Sequence, residues 1–468
     1  MFDMAEKVIW LAVCLLAYML LCLVCGYRGA RAGKRSGSYF IIDDGLSAWT
    51  SASALTASSL GAWVFLGHPG LIYAGGLPAA SLSSAAIALP LCALVVFSRL
   101  SALGLRSGEA SIANLMGEYF QNTQVRNLVI LAGLGFALPL LALQFRAAGV
   151  LVNMLSDDTV SINAAMLVLA GLVTFYVAWG GIRSVVAGAA AQYVLMSLGI
   201  TLIGIVAFYY IGGVAKFSAG VAALAEIDTN RSAQNFSHYL AVPGVVQLIS
   251  SAREALGSPW TGSMIATTLL AFTGIMVSPV FSNWALCVRS TKPAAPQMIW
   301  TSAALLGVVL LVFTVAQGLG GHLLGGNMVM TDERGDFVYN VMGANLGGMD
   351  LMETEGQENE LVPVLIYLLG DTLPWLFGLL TVCALAALNA TSAALLVGAG
   401  TLVTRAGFGK DDDLITSRLQ AATVICILSA AALALAWAQE TPQFDLAHLA
   451  LSIGVQMWPA LLGLCWLP

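Results

Sequence analysis

The stretch Thr56-Ala57-Ser58-Ser59-Leu60-Gly61-Ala62-Trp63-Val64-Phe65-Leu66-Gly67-His68-Pro69-Gly70 decides the reading of this chain. It is apolar enough for a membrane, yet it carries hydroxyls and ends in a helix-breaking Gly-His-Pro-Gly. Inside lipid, backbone released by such a break must find partners within the protein or in a watery cavity. Interrupted spans of this kind are where membrane carriers place substrates and ions.

The rest of the composition agrees with a membrane setting. Hydrophobic residues make up 59% of the 468 and charged residues only 9%, with a mean hydropathy of +0.86. A soluble chain of this length would need far more charge to cover its surface. The net charge of -6 comes largely from one acidic loop and implies no nucleic-acid partner. The eight cysteines lie in or at the ends of apolar segments without paired spacing, so they read as small buried hydrophobes rather than disulfides or a metal site. The first apolar run, 8–27, is long enough to span and lacks a small-residue cleavage site, so it reads as a helix and not a signal peptide.

Eleven apolar spans are predicted, near 8–27, 46–72, 78–98, 127–153, 160–180, 189–212, 261–283, 298–323, 372–404, 416–438 and 446–468. With the N-terminus outside, thirteen of the 19 Lys and Arg fall in cytoplasmic connections, and only Lys7, Lys216, Arg231, Arg253 and Arg334 lie outside. That asymmetry supports both the count and an extracytoplasmic N-terminus in a cell membrane, a bacterial inner membrane being the expected one. Two outer connections are long, 213–260 and 324–371, the second rich in Asp and Glu and suited either to a lid or to a plain polar loop. The stretch 109–120 has the spacing of a helix lying on the interface. The apolar run that reaches Pro468 predicts accessory helices beyond it.

Trp63-Val64-Phe65-Leu66-Gly67-His68-Pro69-Gly70 resembles the second span of the solute:sodium symporter family. Four more pieces follow in family order: Tyr39-Phe40-Ile41; Gly180-Gly181-Ile182-Arg183-Ser184-Val185 with Gln192; Ser278-Pro279; and Pro459-Ala460-Leu461-Leu462-Gly463. The resemblance implies an all-α polytopic membrane protein with a leading helix and a ten-helix core of two inverted five-helix repeats, like the leucine transporter. Its parts would be the leading helix and loop at 1–45, repeats at 46–212 and 261–468, and an extracytoplasmic connection at 213–260. The first helix of each repeat is the interrupted one, through Gly67-Pro69-Gly70 and through Gly274 with Ser278-Pro279, which points to a site at the membrane midplane.

In the family, backbone carbonyls and hydroxyls of the first and eighth core helices hold a sodium ion. Carried over, those positions are Ala57, Leu60, Leu379, Val382 and Cys383. An isopropyl group and a thiol are poor ligands for a hard cation. A family aspartate aligns with Ser59, and a Thr-Asp pair aligns with Gly188-Ala189. The sodium site is therefore either degraded or rebuilt from Ser58, Ser59, Thr381 and Asn389.

Arg146, at membrane depth in the third core helix, can clamp a substrate carboxylate or snorkel to the surface. The candidate substrate contacts are Ser58, Ser59, Gln144, Arg146, Thr273, Gly274 and Ser278. His68, within the break, is a candidate proton carrier or a packing residue. No phosphate loop, nucleophile elbow or paired-histidine helix is present, so no enzyme is expected and no cofactor beyond Na+ or H+ as coupling ion. Two functions follow. One is a symporter of a small organic solute such as a carboxylate or amino acid, working by alternating access; the other is the symporter-like sensor domain of a signalling receptor.

Overall fold

A computed structural model describes residues 4–230, 262–323, 330–331, 337–338 and 360–467, apart from 37, 44–45, 290–294, 322, 371, 409–413 and 439–442. Most of the acidic loop and the stretch 231–260 lie outside the described residues.

Helix α1 (Met4–Ser36) leads from the face where the chain begins, the near face, to the far face. After β1 (Ile42–Asp43) comes α2 (Ala48–Ala62), whose N-cap Ser47 accepts a hydrogen bond from the Trp49 N–H. A π-helical segment, Trp63–Gly67, joins α2 to α3 (His68–Gly75). A 3-10 stretch leads into α4 (Ala85–Ser107), followed by the short α5 (Ile112–Tyr119) and then α6 (Thr123–Leu155), which returns to the near face. Helix α7 (Ile162–Ile211) counts 50 residues, about 75 Å of helix against a hydrocarbon core of about 30 Å. Gly181 breaks it, at φ +63° and ψ −156°. A side chain there would strike the Tyr39 carbonyl oxygen, and Ser184 Oγ donates to the Gly181 carbonyl at 2.7 Å. One continuous assignment thus contains two crossings that fold back on each other, with Gly29 of α1 against Ser184.

The second half repeats this order. After α8 (Val214–Asn230) come α9 (Gly262–Val277) and α10 (Pro279–Cys287), bent by 44° at Ser278. Ser278 has extended ψ, donates through Oγ to the Ile275 carbonyl and accepts from the Phe281 N–H, so it closes one helix and starts the next. The seventh core crossing, Ala295–Gly321, is built from α11 (Ala295–Met298), α12 (Gly307–Val309) and α13 (Val315–Gly321) joined by π-helical turns. Then follow α14 (Leu361–Tyr367), α15 (Pro374–Phe408), α16 (Leu414–Trp437), α17 (Gln443–Val455) and α18 (Trp458–Trp466). With α7 counted as two crossings, and with the broken α2–α3 and α9–α10 each taken as one, the described residues hold the eleven predicted spans. The strands are two-residue pairs, of which β1 lies parallel to β2 (Val288–Arg289) and β3 (Met330–Thr331) antiparallel to β4 (Phe337–Val338). The first pair joins the chain before α2 to the end of α10, tying together the far-face halves of both broken helices.

Helix α15 sits at the centre, its most apolar stretch wholly buried, whereas α1 shows most of its surface. Leu16, Leu128, Val194 and Ile427 stand exposed on the outer helices, as a lipid-facing belt requires. A buried polar knot fastens α1 and α7 to α15. Tyr18 Oη accepts from Gln192 Nε2 at 2.9 Å and from Asn389 Nδ2 at 2.7 Å, and Tyr176 Oη donates to Asn389 Oδ1 at 2.8 Å. At the near face, Lys7 pairs with Asp157 at 3.0 Å and lies over the Tyr367 ring, tying α1 to α14.

Candidate substrate and ion site

The geometry of the centre starts from Gly61. Its backbone leaves the helical region at φ 6° and ψ −106°. A β-carbon there would run into Thr391 Oγ1 and come within 2.6 Å of the Ala387 carbonyl oxygen. Only glycine lets α2 come this close to α15, so the break and the hydroxyl of Thr391 are held face to face.

Beside this contact lies a cavity bounded by α2, α6, α9, α10, α15 and α17. Its polar side chains are Ser58, Ser59, Gln144 and Thr391, and its rings are Trp63, Phe136, Phe272 and Phe281. None of its described lining side chains is ionisable. Three of the polar atoms, Ser58 Oγ, Gln144 Oε1 and Thr391 Oγ1, are buried with no hydrogen-bond partner among the described residues. A buried polar atom left unpaired costs roughly 1–3 kcal/mol. All three line this one cavity.

Of the candidates, Ser58, Ser59 and Gln144 of the substrate set and Leu60 of the ion set line this cavity, and the others lie outside its lining. Arg146 is two residues from Gln144, about 200° around the helix, so it faces away from the cavity. Its guanidinium donates to the Ala436 carbonyl at 3.4 Å, at the C-terminal end of α16, where the helix dipole favours a cation. The expected carboxylate clamp is corrected accordingly. Thr273 donates to the Leu270 carbonyl and accepts from Trp458 Nε1 at 2.8 Å, which assigns it to packing against α18. Gly274 lies against Leu451 and Gly454 so closely that a β-carbon would meet the Leu451 carbonyl oxygen at 2.6 Å, a helix-crossing role. Ser278 spends its hydroxyl on the break itself.

His68 is fully buried and lies outside the cavity lining. Its Nδ1 is 2.8 Å from Thr314 Oγ1, and the threonine gives its own proton to the Leu310 carbonyl. The ring therefore donates from Nδ1 to the threonine, and it packs against Trp63 with centroids 5.0 Å apart. The ring's Nε2 is buried with no hydrogen-bond partner among the described residues, and the side chain is not in contact with the cavity.

The eighth-helix ion positions also need correction. Cys383 packs against Gly199 and Phe65, since a β-carbon on Gly199 would lie 2.5 Å from that of Cys383 and 2.8 Å from the Phe65 ring. Cys383 stands eight residues, about 12 Å of helix, from the Thr391 that meets the break. Leu379 and Val382 lie a further turn or less along the same helix. Thr391 and the Ala387 carbonyl stand opposite the break, and Leu388, Thr391 and Ser392 repeat the spacing of Leu379, Val382 and Cys383 shifted by nine. Thr391 and Ser392 supply the adjacent hydroxyls, and Ser392 Oγ donates to the Leu388 carbonyl at 2.8 Å. The hydroxyl pair three and four residues after Leu388 was the signal in the sequence. Of the proposed substitutes, Thr381 stands ten residues, about 15 Å of helix, from the Thr391 that meets the break, and Asn389 is engaged in the knot with Tyr18.

Comparison with known proteins agrees with this architecture. The sodium:solute symporter family matches residues 39–467. The chain belongs to this family. It is a secondary active symporter, and none of the comparisons favours the sensor reading. No curated protein matches the sequence. Among solved structures, a substrate-bound, outward-open Na+-coupled sialic acid symporter superposes with a TM-score of 0.71 at 15% identity, covering 99% of this chain and 87% of that one. MhsT in complex with L-phenylalanine superposes with a TM-score of 0.56 at 11% identity, covering 89% of each chain. At such identities the likeness concerns the fold, which is that of leucine-transporter-like symporters.

Proposed function

We propose that this symporter couples the movement of a small solute to sodium, with one ion held between the break in α2 and the middle of α15. The ligands would be the carbonyls of Ala57, Leu60 and Leu388 and the hydroxyls of Thr391 and Ser392. The observation that carries the reading is the buried, unpartnered Thr391 Oγ1 pressed against Gly61. Sodium is a hard cation that takes oxygen ligands, as calcium and magnesium do, and this donor set is all oxygen. The Na+-coupled sialic acid symporter of the same fold supports it.

The repeats would run over 46–212 and 261–468. In each, a broken helix comes first and a short helix stands between the second and third crossings. Helix α5 lies at the far face, where Asn114 meets the Arg405 carbonyl, and α14 at the near face beside Lys7. That opposite placement is what an inverted repeat requires. The far face carries Arg99, Arg106, Arg126, Arg183, Arg405 and Arg418, so it would be cytoplasmic and the N-terminus extracytoplasmic in a bacterial inner membrane.

Purified protein heated in sodium chloride or in choline chloride tests the ion. Sodium should raise the melting temperature of the natural protein, and Thr391→Val combined with Ser392→Ala should weaken that response at least tenfold in sodium concentration. A response to pH alone, equal in the two salts, would overturn sodium coupling.

A further inference from the structure

Within that sodium-coupled reading, the cavity itself specifies the class of solute. We infer that the transported solute carries no net charge, presents a flat apolar body to the rings of Trp63, Phe136, Phe272 and Phe281, and donates an N–H to Gln144 Oε1. The conclusion rests on three features of the same cavity.

The first is electrostatic. No ionisable side chain is among the described residues that line the cavity, and the one cation in the neighbouring helix segment, Arg146, points to the Ala436 carbonyl instead. A charged solute at this depth would find no counter-charge among the lining side chains, the sodium proposed at Thr391 being the one cation beside it. The second is the acceptor. Gln144 makes no hydrogen bond to the described residues from either end of its amide, so Oε1 calls for a donor on the solute and Nε2 for an acceptor. A carboxylate can meet only Nε2 and leaves Oε1 unpaired, whereas an amide meets both. The third is shape. Phe272 from α9 and Trp63 from the break lie with ring centroids 4.5 Å apart, and Phe136 and Phe281 meet edge to face at 6.4 Å. Rings of this number favour a planar apolar group by stacking and edge contacts. Ser58 Oγ, which both donates and accepts, is left to meet a carbonyl of the solute.

Small planar amides combine these properties, and matched pairs isolate each one. Nicotinamide against nicotinate, and indole-3-acetamide against indole-3-acetate, differ in charge and donor but scarcely in size. Binding to the purified protein in saturating sodium, read by intrinsic tryptophan fluorescence, should favour the amide of each pair at least tenfold. Gln144→Leu should abolish that preference while leaving the sodium-dependent rise in melting temperature intact. Equal or tighter binding of the carboxylates, or no binding of either amide at millimolar concentration, overturns the inference. Retention of the amide preference in Gln144→Leu overturns it as well. Loss of the sodium effect on melting in the natural protein would instead strike the coupling reading, since the amide-to-carboxylate ratio can still be measured in choline chloride.

Discussion

Asn389 and Thr391 sit two residues apart on one buried helix and lead opposite lives. Asn389 faces α1 and α7, where Tyr18 and Tyr176 engage both ends of its amide. Thr391, about 200° around the helix, faces the break in α2 with a hydroxyl that no described group satisfies. Burial is complete for Asn389 and nearly so for Thr391, so burial does not distinguish them. Hydrogen-bond accounting does. Here the satisfied amide fastens helices, and the unsatisfied hydroxyl stands beside the cavity.

The sharpest test of the unsatisfied side is Gly61→Ala. The added methyl would collide with Thr391 and the Ala387 carbonyl, pushing α2 off α15. Since neither backbone can yield cheaply, sodium-driven uptake should fall by more than a hundredfold, measured at equal surface expression. Normal uptake would show that the helices separate at this point without consequence.

The satisfied side predicts a different signature. Asn389→Leu leaves the Tyr176 hydroxyl without its acceptor and removes a donor to Tyr18. It should destabilise the protein by roughly 1–3 kcal/mol, seen as a lower melting temperature, with the sodium concentration for half-maximal stabilisation changed less than threefold. A large change in sodium response with unaltered melting would transfer Asn389 to the ion site and break the comparison.

Arg146→Gln should have a smaller effect, because the guanidinium bonds a helix-end carbonyl away from the cavity. Apparent solute affinity should stay within about twofold, with a stability loss of about 0.3–1 kcal/mol, the size of a cation at a helix C-terminus. A tenfold loss of affinity would bring Arg146 back into solute recognition.

The smallest expected effect concerns the near-face tie. Burial pushes the Asp157 carboxyl up, but hydrogen bonds from Tyr367 and Lys7 and the charge of Lys7 outweigh it and hold it below its ordinary value of 3.8. The ionised carboxylate is favoured in the folded state, so its contribution is full above that ordinary value and is lost as pH falls through the lower folded one. Between pH 7 and pH 5 the natural protein and Asp157→Asn should therefore differ in melting temperature by a constant, small amount. The difference should shrink only below about pH 4. A gap that closes between pH 7 and pH 5 would show that the carboxyl titrates near neutrality.

Much of the fold was legible because membrane physics acts on local sequence. Apolar length dictates a crossing, basic residues mark one face, and Gly67-Pro69-Gly70 and Ser278-Pro279 flag the helices that break. The spans, the interfacial α5 and the two interruptions all follow from patterns within some thirty residues of each other. The first break falls at Gly61, within the Leu60-Gly61 step that the sequence predicts, and α15 presses against it there.

Which side chains share the cavity was decided by packing between distant segments. Much of α15 is apolar, so its sequence offers several registers, and which of its residues stands opposite Gly61 depends on where the helices touch. In the same way, Gln144 and Arg146 are equally buried-looking in sequence, and only the rotation of α6 against α2 and α16 turns one to the cavity and the other to a helix end. Hydropathy is a property of a segment and survives without its neighbours. A site is a set of distances between segments, and those distances exist only once the helices have met.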